Sequence, residues 1–301
     1  MNHHSMRASE WLLLIFLSIL WGGSFFFIKV ALSGLPPFTL VLGRVGIAAM
    51  VLNLVVRVSG HRMPSSLKMW TAFFIMGLLN NLVPFSLIFW GETQISSSLA
   101  AILNATTPVW TVILAHLFTR DEKLSPLRLI GVLFGMIGVV IMVGFDALQG
   151  LGLHVLAQLA VIGAAISYGF ASIYGKRFKN TPSVVTAAGQ ITGTLVMIIS
   201  IELIIDKPWL LPAPSLHVWA ALAGLALLST SLAYIVFFRL LSSVGATNIV
   251  LVTFLIPVSA IFLGMVILGE HLVLRQFVGM GFIGLGLLAI DGRLLRLVRA
   301  S

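Results

Sequence analysis

Ten apolar runs, each about 20 residues long and recurring about every 28 residues, occupy almost all of this 301-residue chain. They cover about residues 11–30, 36–57, 70–90, 97–118, 126–144, 154–174, 182–205, 217–238, 246–268 and 274–292. At roughly 1.5 Å of rise per residue, a helix of about 20 residues crosses a hydrocarbon layer of about 30 Å. The links between runs are short, so little of the chain is left outside the bilayer. The expected class is an all-α integral membrane protein of ten transmembrane helices. Its composition, 59% hydrophobic and 9% charged, would not supply a soluble protein of this length with enough charge to cover its core.

The net charge of +9 could point to a polyanion, but its distribution points elsewhere. With the N-terminus inside, the inner links and tails carry Arg7, Arg57, Arg62, Lys68, Arg120, Lys123, Arg128, Lys176, Arg177, Lys179, Arg239, Arg293, Arg296 and Arg299. The outer links hold Lys29, Lys207 and Arg275, and Arg44 lies inside the membrane. Fourteen against three is a positive-inside pattern, which puts both termini in the cytoplasm and the chain in the plasma (inner) membrane, with lipid and not nucleic acid as its surroundings. The first run is expected to stay in place, because nine more spans follow it and it has no small-residue cleavage site. Zero cysteines exclude disulfides, thiolate chemistry and iron–sulfur ligation. The two histidines of the opening MNHHSM are not read as a metal site.

The chain also repeats itself. Moved on by 147, WGGSFFFIK (Trp21 to Lys29) falls on YGFASIYGK (Tyr168 to Lys176), and moved by 146, Pro36, Gly43 and Arg44 meet Pro182, Gly189 and Gln190. From Trp70 to Pro108 a constant shift of 149 needs no gap, bringing Phe85 onto Tyr234 and Pro108 onto Pro257; at 148, Glu122, Gly131 and Gly138 meet Glu270, Gly279 and Gly286. Five spans per copy, residues 1–150 and 151–301, is an odd number, so the second copy enters the membrane from the opposite side. Inverted halves facing each other across a central site are a transporter architecture.

The tract LWGGSFFFIK, the arginine after a proline in span 2 (Pro36 to Arg44), the prolines of spans 4 and 9, and Glu-x-Leu before a glycine-rich span (Glu122 to Leu124, Glu270 to Leu272) resemble the EamA-type branch of the drug/metabolite transporter superfamily. The resemblance covers nearly the whole chain. It implies ten helices with both termini cytoplasmic, a central cavity lined mainly by spans 1, 3, 4, 6, 8 and 9, peripheral spans 5 and 10, and export of amino acids or related metabolites.

Candidate site residues follow from the prolines. A helical proline frees the carbonyl four residues earlier, and in lipid that carbonyl needs another partner. Four residues before Pro84, Pro108 and Pro257 stand Asn80, Asn104 and Thr253, all polar. Asn80 and Asn81 align with Ser229 and Thr230 in the repeat. These side chains either bind substrate at mid-membrane depth or bond across helices to repair the prolines' effect. Gly22, Gly23 and Ser24 let a backbone or a ligand approach the first helix, with Trp21 and Phe25 as flat walls. Trp21, Ser24, Tyr168 and Ser172 are therefore candidates to face the cavity, and tight packing is the alternative. Arg44, roughly 12 Å from the outer end at ~1.5 Å per residue, either holds a substrate carboxylate or bonds backbone carbonyls or Glu92. Glu202 is expected to reach water, and Glu122 and Glu270 to cap spans 5 and 10.

GxxxG pairs at Gly131/Gly135 and Gly189/Gly193, with Gly279, Gly281, Gly284 and Gly286 in span 10, predict close helix contact, within one chain or between two copies in a homodimer. Residues 11–28 hold no acid, which argues against a proton-for-cation exchanger that relies on a carboxylate in span 1. A neutral or zwitterionic substrate suits aromatics, amides and hydroxyls better. An enzyme is disfavoured, since HExxH, GxSxG and P-loop motifs and metal-ligand spacings are missing. His116 and His271 stand alone near helix ends, and the sequon Asn104-Ala-Thr106 lies inside a span. A passive channel is a third option, one that would explain the inverted halves less directly. The expected protein is a secondary exporter of a small neutral or zwitterionic molecule, without cofactor or metal; an importer or a drug efflux protein of the same fold is the near alternative.

Overall fold

The computed structural model describes residues 7–119, 125–143, 152–249 and 251–290, and every regular element among them is helical. In chain order they are α1 (Ala8–Ala31), α2 (Pro37–Val58), α3 (Leu67–Glu92), α4 (Ser97–Phe118), α5 (Pro126–Val143), α6 (Leu153–Gly175) and α7 (Ser183–Ile205). Next comes α8, which runs from Leu216–Ala226 through a π-helical stretch, Leu227–Leu232, into Ala233–Ile249. Then follow α9 (Val252–Leu268) and α10 (Leu274–Ile290). By length and composition seven of these can cross a membrane, and α5, α9 and α10 are shorter apolar helices.

Local signals account for the boundaries. Pro36 and Pro37 open α2, where a missing N–H costs nothing. The Ser96 hydroxyl accepts from Leu99 N at 3.2 Å and caps α4. Gly269, at φ 66°, ends α9 in the left-handed conformation that glycine adopts without a Cβ clash. The eighth span was expected to end near residue 238, whereas α8 continues to Ile249. No proline interrupts residues 239–249, and a lone Gly245 is too weak a break.

The most extensive contacts are α5–α10, α2–α7, α1–α9, α3–α6, α4–α6, α3–α7, α1–α8, α4–α9 and α2–α8. Exchanging each helix for the one five places along returns the same set of pairs. One large apolar core draws on both halves of the chain, and a smaller one joins Leu14 and Leu17 of α1 to Ala233 and Leu240 of α8 and Val252 of α9. Large apolar side chains such as Leu12, Met50, Val140, Ile204 and Val266 point outward, a surface suited to lipid and not to water.

Glycine sets several of these spacings. A Cβ on Gly138 would lie 2.6 Å from the Gly279 carbonyl, and one on Gly131 2.6 Å from that of Gly286, so α5 and α10 touch backbone to backbone. Gly77 brings α3 against Gln190 and Thr194 of α7, and Gly193 returns the contact at Phe74. Gly22 makes room for Ser259 and the Ile256 carbonyl of α9, while Gly23 has only side-chain atoms at 3.7 Å or more. The GxxxG faces are thus taken up within the chain, whereas a Cβ on Gly281 or Gly284 of α10 would meet nothing within 4 Å among the described residues outside its own helix turn.

Candidate functional site

Two π-helical stretches, Leu78–Leu82 in α3 and Leu227–Leu232 in α8, are separated by the repeat offset of 149 residues and carry the paired polar residues. A π turn holds one residue more than an α turn, so local backbone bonds are redirected and neighbouring carbonyls must find other donors. In α3 the Leu79 carbonyl accepts from Ser167 Oγ of α6 at 2.7 Å, and the Gly77 carbonyl from Thr194 Oγ1 of α7 at 3.1 Å. In α8, which has no proline there, Thr230 and Ser231 hydroxyls donate back to the Leu225 and Ala226 carbonyls, both at 2.9 Å.

These stretches meet α2 and α7 in one polar cluster. Asn80 Nδ2 donates to Gln190 Oε1 at 3.0 Å and to the Tyr234 hydroxyl at 3.4 Å, and that hydroxyl lies 3.5 Å from Asn81 Oδ1. Arg44 Nε donates to Thr230 Oγ1 at 2.9 Å, and its guanidinium carbon stacks 3.9 Å from the centre of the Phe85 ring, with Phe89 beyond at 5.8 Å. Among the described residues, neither a backbone carbonyl nor Glu92, the structural partners expected for Arg44 beside a substrate carboxylate, accepts a hydrogen bond from it. The side chain instead reaches across to Thr230 in the π-helical stretch of α8. Tyr168 is within electrostatic reach of this arginine. The Asn81 amide nitrogen and the Ser229 hydroxyl are buried without a hydrogen-bond partner. Arg44, Asn80, Asn81, Tyr168, Ser229 and Thr230, far apart in sequence, therefore share one region, together with Gln190 and Tyr234.

Trp21 is half-buried against Phe237, with ring centres 5.4 Å apart, in the smaller core between α1, α8 and α9. Ser24 is buried on α1. Ser172 is exposed and donates to the Tyr168 carbonyl of its own helix, so it does not join the cluster. Pro84 is buried at the start of the second segment of α3. Pro108 opens the second segment of α4, after a break at Ala105 and Thr106, and the carbonyl it frees on Asn104 is taken by Thr107 Oγ1 at 2.7 Å. The Asn104 side-chain oxygen is left buried without a partner. Pro257 stays inside α9, four residues after the half-buried Thr253.

A second polar group forms at the end of the bundle where α1 and α3 finish. Glu270 accepts from Ser97 N at 2.8 Å, Ser97 Oγ at 2.9 Å, Ser98 N at 3.0 Å and Ser98 Oγ at 2.5 Å. It was expected to cap span 10. Instead Gly269 turns the chain back, with Glu270 N bonded to the Gly264 carbonyl at 3.0 Å, and the carboxylate reaches the first turn of α4. The start of α10 is served by Gln276 Oε1, which accepts from Val273 N at 3.0 Å. Burial works to raise the Glu270 carboxyl, but the hydrogen bonds from Ser98 and Ser97 outweigh it and hold the group below the usual carboxylate range. Glu122 lies outside the described residues. Glu202, expected to reach water, is 2% exposed, and its Oε1 accepts from the Thr39 hydroxyl at 3.2 Å. Asp206, one turn on, caps α2 through Thr39 N at 2.6 Å.

Sequence reasoning missed the π turns, Gln190 and Tyr234 as cluster members, and the Glu270 contact. The doubled polar pair at a constant offset was the available signal for the first of these.

The model of the EamA-like transporter family matches the chain twice, at residues 9–144 and 155–290. The protein called "Uncharacterized transporter YoaV" of Bacillus subtilis (strain 168) is 24% identical over 271 residues, 88% of this chain and 91% of that one. The "Uncharacterized inner membrane transporter YedA" of Escherichia coli (strain K12) is 26% identical over 268 residues, 89% and 85% of the two chains. One solved crystal structure superposes at a TM-score of 0.66 with 21% identity, over 98% of this chain and 100% of that chain, a likeness of fold alone.

Proposed function

The chain belongs to the EamA-like transporter family, and on that premise we propose that it exports a small zwitterionic metabolite, such as an amino acid, by alternating access between two inverted five-helix halves. It is an integral membrane transporter and not an enzyme. The double family match, the repeat offsets and the contact pattern that survives exchange of each helix for the one five places along support the two-repeat reading. The charge asymmetry supports cytoplasmic termini, which makes the Glu270 end the outer one.

One observation carries the substrate class. The buried Arg44 guanidinium uses Nε on Thr230, and its terminal nitrogens, stacked over Phe85, make no hydrogen bond to a described residue. Buried guanidinium N–H groups are strong donors that favour a planar carboxylate. The unsatisfied Ser229 hydroxyl can accept from the ammonium end of a zwitterion, and the unsatisfied Asn81 amide N–H, a donor, suits its carboxylate or an acceptor on its side chain.

Counterflow in proteoliposomes tests this reading. Vesicles loaded with unlabelled amino acids should accumulate labelled neutral amino acids saturably, and Arg44→Gln should abolish that exchange. Movement of a cationic dye or an uncharged metabolite, with no amino-acid exchange, would keep the transporter and discard the substrate class.

A further inference from the structure

Lys29, Glu92 and Glu270 converge at the end of the bundle where α1 and α3 finish and α9 turns into α10. The Lys29 ammonium donates to the Glu92 backbone carbonyl at 2.7 Å and to the Ile95 carbonyl at 2.9 Å. It holds the short α3–α4 link in place and is not hydrogen-bonded to the Glu92 carboxyl. That carboxyl is 0% exposed, and neither of its oxygens has a hydrogen-bond partner.

Among the described residues none of the surrounding donors bonds to it. The charged groups facing Glu92 are Lys29 from α1, Arg44 from α2 and Glu270 from the α9–α10 link. Lys29 is committed to carbonyls, and Arg44, bonded to Thr230 through Nε and stacked on Phe85, gives none of its terminal N–H groups to Glu92. Ser97 and Ser98 on α4 give both hydroxyls and both backbone N–H groups to Glu270. Against neighbouring Gly91, α6 brings Val161 and Ala157, and its His154 is paired with Gln158 one turn along. One carboxylate here has four donors, and its neighbour has none. A buried carboxylate without a donor is far more costly than the neutral acid.

We infer that Glu92 is a proton-binding site of the transport cycle and that Lys29 is the cation that takes the proton's place when it leaves. In the arrangement described, Glu92 is the neutral acid. On release its O–H bond breaks, the electron pair stays on the carboxylate, and the proton passes to water at that end of the bundle. The Lys29 ammonium, already against the backbone of the same residue, turns from the two carbonyls to the new carboxylate. The Glu92 and Ile95 carbonyls lose their donor in that exchange and must be hydrated. Proton release is thereby linked to loosening of the α1–α3–α4 contact. The inference rests on the chain being a transporter and is independent of what it carries.

The test uses the full-length protein in lipid. Infrared difference spectra recorded across pH steps should contain a carboxylic-acid carbonyl band that shifts on deuteration, is lost in Glu92→Gln and persists in Glu202→Gln. Glu92→Asp, which keeps the acid, should retain the band at an altered frequency. The chain has no cysteine, so Gln94→Cys in the α3–α4 link reports opening through its rate of maleimide labelling. Divided by the rate at a freely exposed thiol at the same pH, which corrects for the thiolate fraction, labelling should accelerate as pH rises when Glu92 is present and lose that extra acceleration in Glu92→Gln. A band that survives Glu92→Gln, or labelling that follows the same pH course with and without Glu92, overturns the inference. A sodium dependence that replaces the pH dependence would do so as well.

Discussion

The carboxylate of Glu270 lies on the first turn of α4, with Oε2 2.5 Å from the Ser98 hydroxyl and Oε1 2.8 Å from the Ser97 amide. It ties the turn after α9, in the second half of the chain, to a helix start in the first half. An acid at that position satisfies exposed N–H groups and complements the positive end of the helix dipole.

Replacing Glu270 by Gln removes the charge and part of this cap. The expected loss is about 1 kcal/mol of stability, read as a lower midpoint of thermal unfolding in detergent. The pH course is a second readout. Because the folded-state carboxyl is held below its ordinary value, its stabilisation is fully present above that ordinary value and fades as pH falls through the lowered one. The wild-type midpoint should drop across that acidic window, and the Gln variant should lack this component.

Contact between α5 and α10 depends on missing side chains. Gly138→Ala places a methyl 2.6 Å from the Gly279 carbonyl, a backbone atom that cannot swing aside. It should destabilise the protein by about 1–3 kcal/mol. Gly281→Ala, with nothing within 4 Å, should leave the melting midpoint unchanged. Equal midpoints for the two variants would contradict the described packing.

Arg44 offers a distinction between charge and shape. Arg44→Lys keeps the charge but loses the planar fork and the stacking over Phe85. Counterflow of a zwitterion should fall at least tenfold, about 1.4 kcal/mol, mainly through a raised half-saturation concentration. A variant that transports at the wild-type rate would remove Arg44 from the substrate site.

The charge distribution predicts the orientation. A green fluorescent protein fused to the C-terminus should fluoresce, and an alkaline phosphatase fused there should be inactive, while the phosphatase inserted after Lys207 should be active. The reverse pattern would invert every assignment of inner and outer ends.

Asn80 shows how far the sequence could be read. Its position four residues before Pro84 identified it as polar where a carbonyl is freed, and it does sit in a polar cluster. Its partners Gln190 and Tyr234 lie 110 and 154 residues away, and nothing local names them. Ser172 shows the opposite case: the repeat aligned it with the first helix, but it is exposed and its hydroxyl donates to the Tyr168 carbonyl of its own helix.

Lipid excludes water from the backbone, so length and apolarity pointed to helices, and the nearly constant offsets in the sequence pointed to which positions correspond. Charge supplied an expected orientation before any contact was known. The tertiary structure decided which polar atoms meet. It placed Arg44 against Thr230 instead of a carbonyl, sent Glu270 to α4 instead of α10, and left Glu92 without a donor. The reason is physical: hydrophobicity acts through composition and period, whereas a hydrogen bond depends on atoms lying within about 3 Å, which only the packing of all the helices sets.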